Sequence, residues 1–134
     1  MKIAFATPEL QSLVRATSLA EVSESLARTL RQEGADIRVF LPWTADLNTG
    51  PLAEVRLVGE VKVKDGTARP AVQIHTGLLG DLPIVLVDHP QLLRNRLPYA
   101  EEDGPYADNW RRYALYARAV LESLPVIRKD GGKT

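Results

Sequence analysis

Ile3 to Ala6 is a short apolar run without alternation, the pattern of a strand buried on both faces in a parallel sheet. Thr7-Pro8 closes it, and a loop follows through Arg15-Ala16-Thr17. Ser18 and Glu21 stand in the Ser-x-x-Glu spacing of a capping box, which predicts a helix start. Leu19, Val22, Leu26 and Leu30 recur at spacings of three and four, one stripe of that helix. Gly34 suits the residue just past its end. Asp36 to Leu41 reads as a second buried strand, closed by Pro42. A right-handed crossover makes the two strands parallel neighbours.

The middle of the chain has a different period. Glu54 to Lys64 alternates through Val55, Leu57, Val61 and Val63. Asp65-Gly66 is a turn signal, and Ala71 to His75 supplies a returning strand, so a β-hairpin is expected. Leu82 to Val87 is another buried strand, ending at Asp88-His89-Pro90. Gln91 to Ala107 reads as a polar loop. Asp108 is a fair N-cap for a last helix, whose expected core stripe is Trp110, Tyr113, Ala114, Ala117, Val120, Leu121 and Leu124. Pro125 is expected to end it. Residues 1–128 form one domain in this reading, and 129–134 a disordered tail. The fold class is α/β: a Rossmann-like three-layer domain with a partly parallel sheet and a β-hairpin insertion.

Composition narrows the function. Hydrophobic residues are 45% of the 134, enough for a real core. Lys+Arg and Asp+Glu balance at 17 each, which removes the electrostatic footprint expected of a nucleic-acid or anionic-membrane partner. Neutrality also weakens self-repulsion, so association is easier. The chain has no cysteine, which excludes disulfides and thiolate chemistry. The expected location is the cytoplasm.

Isolated motifs add little. Gly131-Gly132-Lys133-Thr134 invites a phosphate-loop reading, but Ile127 stands where its first glycine belongs. His75 and His89 lack the converging ligands of a metal centre, so no metal and no cofactor are expected. Ser12, Ser18 and Ser23 lack the glycines of a nucleophile elbow. Glu101-Glu102-Asp103 reads as a solvated loop, Trp110 as core, and Trp43 as partly exposed.

Five ordered blocks carry more. They are Lys2 to Glu9 with Leu13 to Val22; Asp36-Ile37-Arg38-Val39-Phe40-Leu41-Pro42; Ile84 to Pro90; Leu97-Pro98-Tyr99; and Tyr106-Ala107-Asp108-Asn109-Trp110-Arg111-Arg112-Tyr113-Ala114. In order and spacing, over residues 1 to about 124, the chain resembles the N-terminal end of bacterial glycogen and starch synthases. These are retaining glucosyltransferases with two Rossmann-like domains. The resemblance implies half of a GT-B N-terminal domain. It also implies residual substrate-binding positions at Arg15, Ser18, Glu21, Tyr99 and Asn109, facing a sugar nucleotide or a glucan.

The departures from the family pattern bear on activity. The family loop reads Lys-x-Gly-Gly, where the lysine and the glycine backbone meet donor phosphates; here it is Arg15-Ala16-Thr17-Ser18. An arginine fork does not replace a point ammonium, and β-branched Thr17 fits a glycine conformation poorly. Glu9 matches the family's glutamate, and Glu21 replaces its aspartate. The family's His-x-His-Asp-Trp segment and its C-terminal domain are not in this sequence. The expectation is therefore a non-catalytic, single-domain interaction or regulatory module, with no catalytic residue assigned. The alternatives are a glucan- or sugar-nucleotide-binding module, and a glucosyltransferase subunit completed in trans. If the family's strand order holds, Ile3 to Ala6 lies at an edge, to be covered by a second copy or by another protein.

Overall fold

The computed structural model describes residues 1–101 and 103–129. The chain runs β1 (Lys2–Ala6), α1 (Leu19–Gln32), β2 (Asp36–Pro42), β3 (Ala53–Lys62), β4 (Ala71–Leu79), β5 (Leu82–Asp88), β6 (Ala100–Glu101), β7 (Gly104–Pro105) and α2 (Asn109–Lys129). The main sheet has the order β1-β2-β5-β4-β3. β1, β2 and β5 are parallel; β4 and β3 extend the sheet antiparallel. This is the expected mixed sheet.

Hydrophobic periodicity explains the layers. β2 and β5 are apolar at nearly every position and buried on both faces. On one face Ile37, Val39, Leu41, Leu82, Ile84 and Leu86 form a core with Ala27 of α1 and Leu10 of the β1–α1 loop. On the other, Phe40, Val85 and Val87 pack with Leu115, Tyr116 and Ala119 of α2. α1 and α2 therefore cover opposite faces.

The hairpin turn forms where Asp65-Gly66 places it, with Gly66 at φ 63° and Asp65 bridged to Ala68. The returning strand runs to Leu79, past the expected His75, because Gly80 at φ 64° allows a second tight turn into β5. The stretch expected as loop over 91–107 contains a π-helical turn, Pro90–Arg94, and the small β6–β7 hairpin.

Three helix expectations are corrected. Leu19, Val22 and Leu26 are exposed, and α1 buries Ala20, Ser23 and Ala27 instead. Small residues let the helix approach closely enough for Ser23 Oγ to share a 3.0 Å hydrogen bond with Thr7 Oγ1. Trp110, Leu121 and Leu124 are likewise exposed, because α2 turns Arg112, Leu115, Tyr116, Ala119 and Ile127 inward. Pro125 does not end α2, which continues to Lys129. Its ring removes one helical hydrogen bond, on an exposed side where water can serve the freed carbonyl. The tail expected over 129–134 lies, from residue 130 on, outside the described residues, as does Glu102.

Candidate functional site

The C-terminal ends of β1, β2 and β5 lie side by side, the position where open α/β sheets place ligand loops. The β1–α1 loop occupies it. Leu10, Leu13 and Val14 anchor the loop in the core, with the Leu10 amide donating to the Val14 carbonyl at 3.0 Å. The apolar hook leaves Arg15 to Leu19 at the surface.

Glu9 lies beneath this segment, fully buried. Its Oε1 accepts from the amides of Ala16 (2.8 Å) and Thr17 (2.6 Å). Its Oε2 accepts from Thr17 Oγ1 at 2.7 Å and from the Tyr99 hydroxyl. Burial alone would raise the Glu9 carboxyl, but these hydrogen bonds outweigh it and hold the group below its ordinary value. Burial, together with the Glu9 carboxylate, pushes the Tyr99 hydroxyl far up, so it stays a donor.

The predicted site residues fall into two groups that Glu9 joins. Arg15 and Glu21 form an exposed ion pair with each other at the start of α1. Ser18 holds the N-cap position but makes no side-chain cap bond, so the capping box is not formed. Thr17 takes that part: its Oγ1 accepts from the Leu19 amide at 3.2 Å while donating to Glu9. Across the loop, Asn109 Nδ2 donates to the Tyr99 carbonyl at 2.8 Å, and its Oδ1 accepts from Arg112 at 2.9 Å. Tyr99 stacks on Tyr113 with centroids 6.3 Å apart.

Arg112 is the anchor that residue patterns alone did not single out. It is fully buried, and donates to the carbonyls of Leu92 (2.6 Å), Leu97 (2.7 Å) and Pro98 (3.1 Å). Burial pulls its pKa down, but a guanidinium stays charged, and the carbonyls stand in for water. The segment before Tyr99 is thereby tied to α2. The available signal was spacing: Arg112 shares a helical face with Leu115, Tyr116 and Ala119. Asp108 stands just before α2, its carbonyl accepting from the Arg112 amide, while its carboxylate takes both Nη atoms of Arg96 at 2.6 and 2.8 Å.

A second polar cluster lies past β5. Asp88 accepts from Arg94 at 2.6 Å, and Arg94 covers the Trp43 ring at 3.6 Å. The His75 ring lies nearly perpendicular to the Trp43 ring with centroids 5.0 Å apart, and His89 Nδ1 accepts from the Leu92 amide at 3.2 Å. Among the described residues, His75 Nδ1 and Asp88 Oδ1 are buried without a hydrogen-bond partner, and burial lowers both imidazole pKa values.

A family model described as starch synthase catalytic domain matches residues 2–132. The glycogen synthase of Geotalea uraniireducens is 32% identical over 126 residues, which is 92% of this chain and 26% of that protein. The glycogen synthase of Photobacterium profundum is 29% identical, over 91% of this chain and 24% of that protein. The fold matches the catalytic domain of starch synthase IV from Arabidopsis thaliana, in a structure bound to ADP and acarbose. There the TM-score is 0.78 at 20% identity, covering 97% of this chain and 25% of that one. The chain spans about a quarter of the length of these relatives.

Proposed function

The chain belongs to the starch synthase catalytic domain family, and from that premise we propose that it is an interaction module of the glycogen/starch synthase type that does not itself transfer glucose. One observation carries the reading. The loop that in the family meets donor phosphate reads Arg15-Ala16-Thr17-Ser18 in place of Lys-x-Gly-Gly, and its Ala16 and Thr17 amides are already taken, both donating to Glu9. An anion at the head of α1 would have to displace a buried carboxylate from those donors. Arg15, the nearby cation, is paired with Glu21. That exposed pair is weak, so the reading rests on the amides.

Calorimetric titration with ADP-glucose, UDP-glucose and maltooligosaccharides tests this. No binding heat and no glucosyl transfer are expected from the chain alone. Micromolar binding of a sugar nucleotide would replace this reading with that of a ligand-binding module. A second reading, a glucosyltransferase subunit completed in trans, draws on one observation. Tyr99 and Glu9 sit together at the C-terminal ends of the parallel strands, where α/β enzymes gather their ligand groups.

A further inference from the structure

A polar cluster sits on the α1 face of the sheet, at the C-terminal end of β5. In the β4–β5 ladder Gln73 stands opposite Asp88, and His75 opposite Leu86 of the α1-side core. Side chains two apart on a strand share a face, so His75 and Asp88 are diagonal neighbours there. Trp43 follows β2 directly, and its amide donates to the Val87 carbonyl at 2.8 Å, next to Asp88. The Trp43 and His75 rings stand nearly perpendicular, 5.0 Å between centroids. Arg94, in the turn after β5, closes the cluster. Its guanidinium donates to Asp88 Oδ2 at 2.6 Å and lies over the Trp43 ring at 3.6 Å.

Two atoms of this cluster are mismatched. His75 Nδ1 and Asp88 Oδ1 are both buried and, among the described residues, neither has a hydrogen-bond partner. Buried polar atoms are nearly always bonded, and each one left unbonded costs free energy. A second proton on the imidazole changes the match: Nδ1 becomes a donor, and a carboxylate oxygen on the same face is its natural acceptor. Few charged groups face His75. β5 presents Asp88, and the turn after it presents Arg94. β3 places uncharged Leu57 opposite His75 and exposed Glu60 opposite Gln73, and Trp43 brings no charge. Burial is the largest influence and holds the imidazole pKa below 6.5; Asp88 favours the charged ring, and Arg94 opposes it.

We propose that His75 is a proton switch for the Arg94 cover on Trp43: a proton taken up at Nδ1 joins His75 to Asp88 Oδ1, and Arg94 swings out to solvent, baring the indole face. With a neutral imidazole, Asp88 serves Arg94 alone. With an imidazolium, two cations crowd one carboxylate and one ring, and they repel at short range. Arg94 is the one that yields. Its side chain is already 40% exposed on a long flexible stem, whereas His75 is held on β4, between β5 and β3. The backbone around the cluster stays in place. The Trp43 amide is bonded to Val87, the Ala45 amide to the Arg96 carbonyl, and the Arg94 amide to the His89 carbonyl. The movement is therefore one of side chains, and it opens a flat aromatic face at the C-terminal ends of β2 and β5 in mild acid. His89 does not take this part, because its Nδ1 already accepts from the Leu92 amide. The switch is independent of whether the chain transfers glucose.

The test uses the full 134-residue chain carrying Trp110→Phe, which leaves Trp43 as the one indole of the two in the sequence. Trp43 emission is followed from pH 8 to pH 5, together with the His75 ring protons by NMR and the far-UV circular dichroism. The emission should move to longer wavelength as the ring gains water. Its midpoint should lie below 6.5 and coincide with the His75 titration, while the circular dichroism stays constant. Arg94→Gln removes the cover and the repulsion together. In that variant the emission should start at the longer wavelength and stay flat, and the His75 midpoint should rise by about half a unit or more. His75→Gln should keep Trp43 in its covered state across the whole range. Constant Trp43 emission in the parent overturns the proposal, as does a transition that persists in His75→Gln. It is also overturned by a His75 midpoint that Arg94→Gln leaves in place, or by circular dichroism lost over the same range, which would make the transition an unfolding.

Discussion

The Tyr99 hydroxyl donates to the Glu9 carboxylate across 90 residues of sequence, fastening the β6 side of the molecule to the loop that opens α1. Glu9 simultaneously holds two amides and a hydroxyl of that loop. The Ala16-Thr17 part of the loop is therefore held by one ionised side chain.

Glu9→Gln should destabilise the protein by about 2–3 kcal/mol, because the new amide group presents a donor to other donors. Urea unfolding measures the loss, and faster exchange of the Ala16 and Thr17 amides localises it. The pH dependence has a definite sign. The Glu9 carboxyl sits below its ordinary 4.5 in the folded state. Its stabilisation is therefore complete above about pH 4.5 and is lost as pH falls through the depressed folded value. Glu24 shifts the same way, so the Glu9 share is the difference between acid unfolding curves of the parent and the Gln variant.

Arg112→Lys keeps the charge and loses the fork. A lysine cannot reach three carbonyls and the Asn109 side chain together, so a loss of about 3 kcal/mol is expected. Thermal melting gives the magnitude. Unchanged stability would show that Arg112 does not hold the 92–98 segment.

Gly59 faces Val126 of α2. A Cβ at residue 59 would stand 2.6 Å from Val126 Cγ1, too close for a branched side chain to yield easily. Gly59→Ala should cost about 1–3 kcal/mol through overpacking. Adding Val126→Ala should recover part of it, and a double-mutant cycle reads the coupling.

His75 and His89 both carry imidazole pKa values lowered by burial from 6.5. The unfolded chain takes up protons first as pH falls, so stability drops from about pH 6.5 down to the folded values. His75→Phe should flatten part of that slope in melting temperatures between pH 7 and about pH 5. A slope unchanged in the variant would assign the effect to His89.

Much of the architecture was legible in the sequence. The segments Ile3 to Ala6, Asp36 to Leu41 and Leu82 to Val87 became the three parallel strands; β2 and β5 are buried on both faces as expected, but β1, expected to be buried likewise, is exposed at Lys2, Ala4 and Ala6 because it lies at the edge of the sheet. Asp65-Gly66 set the hairpin, because Gly66 takes the positive φ the turn requires. The five blocks carried the family, which the match over residues 2–132 then showed.

Tertiary structure alone decided which way the helices face. Periodicity marks an apolar stripe on a helix, but a stripe is buried only if a neighbour reaches it. α1 turned Ala20, Ser23 and Ala27 inward because the Thr7–Ser23 contact demands close approach, leaving Val22 and Leu26 outside. α2 buried a charged Arg112 and exposed Trp110, because carbonyls at Leu92, Leu97 and Pro98 converge on one point and, among the described residues, nothing covers the other flank. The Glu9–Tyr99 bond belongs to the same category: sequence gives each residue its chemistry, and only the fold brings positions 90 apart within hydrogen-bond reach.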